Sequence, residues 1–145
     1  MGIVIAVASG KGGTGKPSVT GGVAAALAMA GQRVLCIDMD IGLRNLDISL
    51  GLSDRALMDF SDVAEGRCPL VRAAVNHPDL PGLALLTAPM TLSPALTEEA
   101  VRRMQAKGMM LDVSHLNEAG FWDLMKITKK PFIASHSNSR ALCDV

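Results

Sequence analysis

Residues 10–18 read GKGGTGKPS, from Gly10 to Ser18. A phosphate-binding loop follows the pattern G-x-x-x-x-G-K-[S/T]. Gly10, Gly15 and Lys16 fit it, while Pro17 stands where the hydroxyl belongs. The flanking sequence fits too. Residues 3–8, IVIAVA, form the short continuous apolar run of a buried parallel strand. Residues 17–30 are rich in alanine and other small residues and stop before Gly31, a C′ glycine for a helix. Residues 33–38, RVLCID, read as a second buried strand. The spacing therefore predicts strand, loop, helix and strand, one βαβ unit with a right-handed crossover.

Glycines between a strand and a helix let the backbone bend tightly and aim several N–H groups at phosphate oxygens. The helix N-terminus adds its partial positive charge. Gly10, Gly12, Gly13 and Gly15 meet that need, and Lys16 is placed to reach the outer phosphates. Pro17 has neither the hydroxyl that would face Mg²⁺ nor an N–H for the cradle, although its ring suits the first turn of a helix. Ser18 cannot replace that hydroxyl, because one residue along a helix turns a side chain by about 100°. The loop is expected to form and to hold a Mg²⁺–nucleotide weakly.

Downstream, RALMDFSDVAEG and PLVRAAV read as short helices and HPDLPG as a loop, in which His77 is expected to be a solvated residue. LALLTAP, residues 83–89, is a strand candidate. LTEEAVRRMQAKG is an amphipathic helix with Leu96, Ala100, Val101 and Met104 on one face. Thr97 is its expected cap and Gly108 its stop. MMLDVSH then reads as a strand, LNEAGFWDLMKITKKP as a helix capped by Asn117, and FIASH as a last strand. This alternation of strand and helix argues for an α/β doubly wound sheet.

Bulk composition excludes several function classes. The 145 residues carry 14 Lys+Arg against 14 Asp+Glu, so no electrostatic case exists for nucleic acid or an anionic membrane. Tyrosine is absent and aromatics total 3%, which leaves little for base stacking. Cys36, Cys68 and Cys143 form no C-x-x-C pair and read as reduced intracellular thiols. The apolar run at residue 3 is too short for a signal peptide or a membrane span, so the expected location is the cytoplasm.

With these residues laid out, SGKGGTGKPS resembles the deviant Walker A box of the MinD/ParA family of dimerising ATPases, K-G-G-x-G-K-[T/S]-[T/S]. LCIDMDIGLRNLDISLGL resembles the family's next signature, and the resemblance covers roughly residues 1–106. It implies ATP or ADP with Mg²⁺ as the ligand and a homodimer through the loop face. Gly10, Lys11, Gly12, Gly13, Thr14, Gly15, Lys16 and Ser18 would hold the nucleotide. By the same resemblance Lys11 reaches the partner subunit's nucleotide, while Asp38 and Asp40 match acidic residues near the metal and the attacking water. Read without the motif, the two aspartates equally fit loop capping just past a strand. The chain departs from the family at Pro17, lacks its D-x-P-A-G segment and lacks its C-terminal membrane-docking helix.

His115 and His136 each follow a predicted strand, and strand ends deliver side chains to one rim of an α/β sheet. Histidine is the commonest side-chain metal ligand, but zinc needs three or four ligands. GMMLDVSHLNEAGFWDLMKITKKPFIASHSNSRALCD, residues 108–144, resembles the membrane (renal) dipeptidase family of dinuclear zinc hydrolases, a match running from about 107 to 145. That resemblance implies that His115 and His136 are two ligands of one zinc. The family's H-x-D pair, bridging glutamate and substrate-binding histidine have no counterpart, so zinc is expected to bind weakly.

The expected fold class is α/β, a three-layer, mostly parallel sheet of the P-loop NTPase type, carrying only part of that sheet. The expected segments are residues 1–106, a nucleotide-binding part, and 107–145, a dipeptidase-like βαβ fragment. The second is expected to complete the first's sheet, with Asp112 near Lys16. The expected function is a nucleotide-binding module of ATPase ancestry impaired in hydrolysis. The competing readings are a fragment of a zinc dipeptidase and a chimeric or truncated chain without enzymatic activity.

Overall fold

A computed structural model describes residues 2–113 and 118–134. The chain divides into two compact units, residues 1–92 and 93–145. The first holds helices α1 (Lys16–Met29), α2 (Asn45–Ser49), α3 (Phe60–Ala64) and α4 (Leu70–Ala73), with strands β1 (Val34–Ile37), β2 (Val75–Asn76) and β3 (Leu83–Leu86). The second holds α5 (Pro94–Ala106), β4 (Leu111–Asp112), α6 (Glu118–Ile127) and β5 (Phe132–Ile133).

In the first unit the sheet order is β1-β3-β2. β1 runs parallel to β3 with Val34 opposite Leu83 and Ile37 opposite Leu86, and β2 is antiparallel to β3. The parallel pair is joined by a connection long enough to carry helices, as a parallel pair requires. α1 ends as its sequence dictates. Gly31 takes φ +81°, its N–H donates to Ala28 O, and Gln32 N–H donates to Leu27 O, which closes a Schellman motif. Ala24 and Ala28 of α1 then pack with Cys36, Leu46, Leu50, Leu52, Leu83 and Leu85. Gly21 lets α1 approach α2 closely, since a Cβ there would lie 3.4 Å from Leu50 Cδ2. A second cluster joins Cys68, Ala73 and Leu86, with Met58, Phe60 and Val63 packed against it.

Residues 3–8, expected to form a buried strand, belong to no strand, and Ile3 and Val4 are 89% and 94% exposed. A strand apolar on both faces needs neighbours, and this run pairs with none of the described strands, whose order is β1-β3-β2. β1 buries Cys36 but leaves Leu35 and Ile37 exposed, so the second face expected to be covered is open.

Other expectations shift at their edges. α5 starts at Pro94, not near Leu96, because Ser93 Oγ accepts from Leu96 N–H at 3.2 Å and proline suits the first turn. Thr97 is therefore not the cap; its hydroxyl donates to Ser93 O. Gly108, φ +78°, ends α5 as expected, again with Schellman bonds from Gly108 N–H to Gln105 O and Met109 N–H to Met104 O. The short helix expected from RALMDFSDVAEG is confined to α3. Asp59 begins it in a reciprocal capping box, accepting from Ser61 and Asp62 N–H while the Asp62 carboxylate accepts from Asp59 N–H. In the second unit β4 and β5 pair in parallel, Leu111 opposite Phe132. Asn117, the expected cap of α6, lies outside the described residues.

Candidate phosphate-binding site

The loop from Ser9 to Gly15 is exposed and organised around one carbonyl. Lys11 O accepts from Ser9 Oγ at 3.2 Å, from Thr14 Oγ1 at 3.5 Å and from Lys16 Nζ at 3.4 Å. Gly13 and Gly15 have φ of +71° and +79°, which only glycine adopts without strain. A Cβ built at Gly10, Gly12, Gly13 or Gly15 would meet nothing within 4 Å, so no neighbouring group crowds these glycines.

α1 leaves this loop at Lys16. Gly15 occupies the N-cap, and no side chain caps the helix. The first-turn N–H groups of Lys16 and Ser18 thus point out of the helix start, where an anion is favoured. Pro17 subtracts one donor from that set. The Thr20 hydroxyl donates back to Lys16 O at 2.8 Å, so it is turned along the helix.

Asp38 and Asp40 form a second group. Asp38 is buried just beyond β1. Its Oδ1 accepts from Asp40 N–H at 2.9 Å and its Oδ2 from Leu46 N–H at 3.1 Å. Both carboxylate oxygens therefore hold the loop and the start of α2. The partly buried Asp40 turns the chain through its carbonyl, which accepts from Leu43 and Arg44 N–H. Among the described residues no hydrogen bond or ion pair joins Lys11 or Lys16 to either aspartate. Arg44, with φ +48°, pairs with the buried Asp47 at 3.3 Å, so this loop is rigidly specified.

The residues fit the two parts of a Mg²⁺–nucleotide unequally. The glycine loop, Lys16 and the uncapped helix start suit phosphate. The metal side has no hydroxyl at Pro17, and each oxygen of the Asp38 carboxylate already accepts one backbone N–H. Among the described residues no three His, Cys, Asp or Glu side chains stand together to hold a metal. His115 and His136 lie outside the described residues.

Two features escaped the sequence reading. His77 is not merely solvated: its Nδ1 accepts from Asp79 and Leu80 N–H at 3.1 and 3.2 Å, capping the β2–β3 turn. Arg67 reaches back to Asp62 at 2.7 Å and to Glu65, bracing the end of α3. The D-F-S-D spacing carried the signal for the capping box, but nothing local marks His77 or Arg67.

A glycine-rich loop feeding a helix through Gly15 and Lys16, in a unit with a mixed α/β sheet, is the arrangement of a P-loop NTPase. Residues 1–104 match the ParA family model, described as NUBPL iron-transfer P-loop NTPase. The chain belongs to this ParA/MinD-type family of P-loop NTPases. Residues 84–145 also match the membrane dipeptidase model, peptidase family M19. The septum site-determining protein MinD of Bacillus subtilis is 40% identical over 113 residues, 78% of this chain and 41% of that protein. MinD of Synechocystis is 36% identical over 99% of this chain and 57% of its own length. Among solved structures, the MinC:MinD cell division complex of Aquifex aeolicus aligns with a TM-score of 0.53 and 41% identity over 69% of this chain and 41% of that one. The cell division ATPase MinD of Pyrococcus furiosus aligns at 0.54 and 28% identity over 70% and 44%. The chain thus spans between two fifths and three fifths of these relatives' lengths.

Proposed function

We propose that the chain is a nucleotide-binding module of the MinD type that holds ADP or ATP by its phosphates and hydrolyses poorly. The observation that carries this reading is Pro17 set between Lys16 and Ser18 at the uncapped start of α1. The backbone donors of Gly12 to Lys16 and the Lys16 ammonium supply phosphate binding. Mg²⁺, which would neutralise charge on the transferred phosphoryl group, lacks its hydroxyl ligand. Lys11 is positioned on the exposed loop, where it would meet a second copy's nucleotide in a dimer, as the family resemblance implies. Asp40 is the candidate for orienting water.

The test is a titration of fluorescent ADP, with and without Mg²⁺, against the native chain and Pro17→Thr. Binding by the native chain that gains little from Mg²⁺, and a clear gain in Pro17→Thr with Mg²⁺, is the expected result. Absence of binding by both overturns the reading. The match of residues 84–145 to the dipeptidase family supports a second reading, a zinc-hydrolase fragment. Stoichiometric zinc and dipeptide hydrolysis in purified protein would favour it.

A further inference from the structure

The second unit holds a solvent-open depression of about 370 Å³ lined by Arg102, Gln105, Ala106, Ile127, Lys129 and Lys130. Its architecture depends on Gln105, a buried amide on α5. The Gln105 Nε2 donates to Thr128 Oγ1 and, at 3.5 Å, to Lys130 O, while its Oε1 accepts from Lys129 N–H at 3.3 Å. Lys130 Nζ donates in return to Gln105 O. One satisfied amide therefore fixes the turn after α6 against the end of α5, and with it the positions of two lysines beside Arg102.

Charge decides what such a depression can hold. Three cations line it and no carboxylate does. The ends of α5 and α6 bring roughly half a negative charge each, and Glu98 pairs with Arg102 one turn away. The balance is about one positive charge, which suits a monoanion rather than a phosphate dianion. Ala106, Ile127 and the aliphatic stems of the cationic side chains supply apolar wall. The volume is that of a small-ligand site. Arg102 gives one terminal nitrogen to Glu98, and a guanidinium has further donors.

We propose that this depression binds a small apolar carboxylate, with its charge on Arg102 and Lys129 and its hydrocarbon against Ala106 and Ile127. Benzoate is the probe, followed by amide shifts in the full chain and by calorimetry, with benzyl alcohol as the uncharged control. Saturable shifts at Gln105 and Ile127 are expected with benzoate and not with benzyl alcohol. Arg102→Gln and Lys129→Gln, both on exposed side chains, should each weaken benzoate about tenfold, the loss of one charge-assisted hydrogen bond. Lys16→Ala should leave it unchanged, which separates this depression from the phosphate loop. Equal response to benzyl alcohol, no saturable shift in the native chain, or equal loss in Lys16→Ala overturns the proposal.

Discussion

The ammonium of Lys16 donates to the carbonyl oxygen of Lys11 at 3.4 Å, so the side chain proposed to bind phosphate is held on the loop's own backbone. A nucleotide phosphate competes for that ammonium with a neutral acceptor, and a charge-assisted bond is about twice as strong as a neutral one. Lys16→Ala should therefore weaken ADP binding by about tenfold or more while changing thermal stability little. Parallel calorimetry and thermal melts check both halves. Undiminished ADP affinity would place the nucleotide elsewhere.

Gly82 is the glycine that the first unit can least replace. Its φ is +88°, and a Cβ there would lie 3.1 Å from Gln32 O, backbone that also receives the start of β1 through Val34 N–H to Gly82 O. Gly82→Ala should cost about 1–3 kcal/mol from left-handed strain and this close approach. Urea unfolding measures it. Gly66→Ala, also at positive φ but with open space around its Cβ, is the control that should cost less.

The capping box of α3 carries the acid sensitivity of its neighbourhood. The hydrogen bond from Asp59 N–H, then that from Arg67, holds the Asp62 carboxyl below the ordinary range. A lowered folded value means stabilisation that is complete above the unfolded carboxylate pKa, about 3.9, and lost as pH falls through the lower folded one. A carbon-detected titration of Asp62 should give a midpoint below the ordinary aspartate value of about 3.9. Asp59→Ala removes the side-chain cap at about 1 kcal/mol but keeps the N–H that Asp62 receives, whereas Arg67→Gln removes the second cause and should bring the Asp62 midpoint part of the way back up. An Asp62 midpoint indifferent to that substitution contradicts the assignment.

Burial pushes the Cys36 thiol above its usual 9.0. A raised folded value gives stabilisation that is full below the unfolded value and lost as pH rises through the folded one. The thiol should stay protonated and resist alkylation near neutrality. Iodoacetamide labelling mapped by mass spectrometry should leave Cys36 unmodified in the folded chain and modify it after urea unfolding.

The phosphate loop and α1 were legible because their signals are local. Glycine spacing, a C′ glycine and a proline that tolerates the first helical turn all act within a few residues. Asp38 was legible only as a pair of alternatives, since an aspartate past a strand can face a metal or cap a loop; its bonds from Asp40 and Leu46 N–H supply the capping contacts. Residues 3–8 misled because an apolar run reports a wish for burial, not the presence of neighbours to provide it. α2 went unseen because its capping carboxylate, Asp38, lies eight residues before the N–H it receives. The Gln105 clamp was equally hidden, for its partners stand 23 to 25 positions further on.

The unpaired stretch Ile3–Ala8 has one consequence beyond the fold. It is six uncharged residues, β-branched at four positions and free of proline and glycine, exposed and outside any strand. That is the makeup of a segment that stacks with its own copies into cross-β sheets. Colloidal behaviour and conformational stability are therefore separable in this chain. Its leucine core bears on whether a single molecule unfolds, while these six exposed residues bear on whether folded molecules associate with one another.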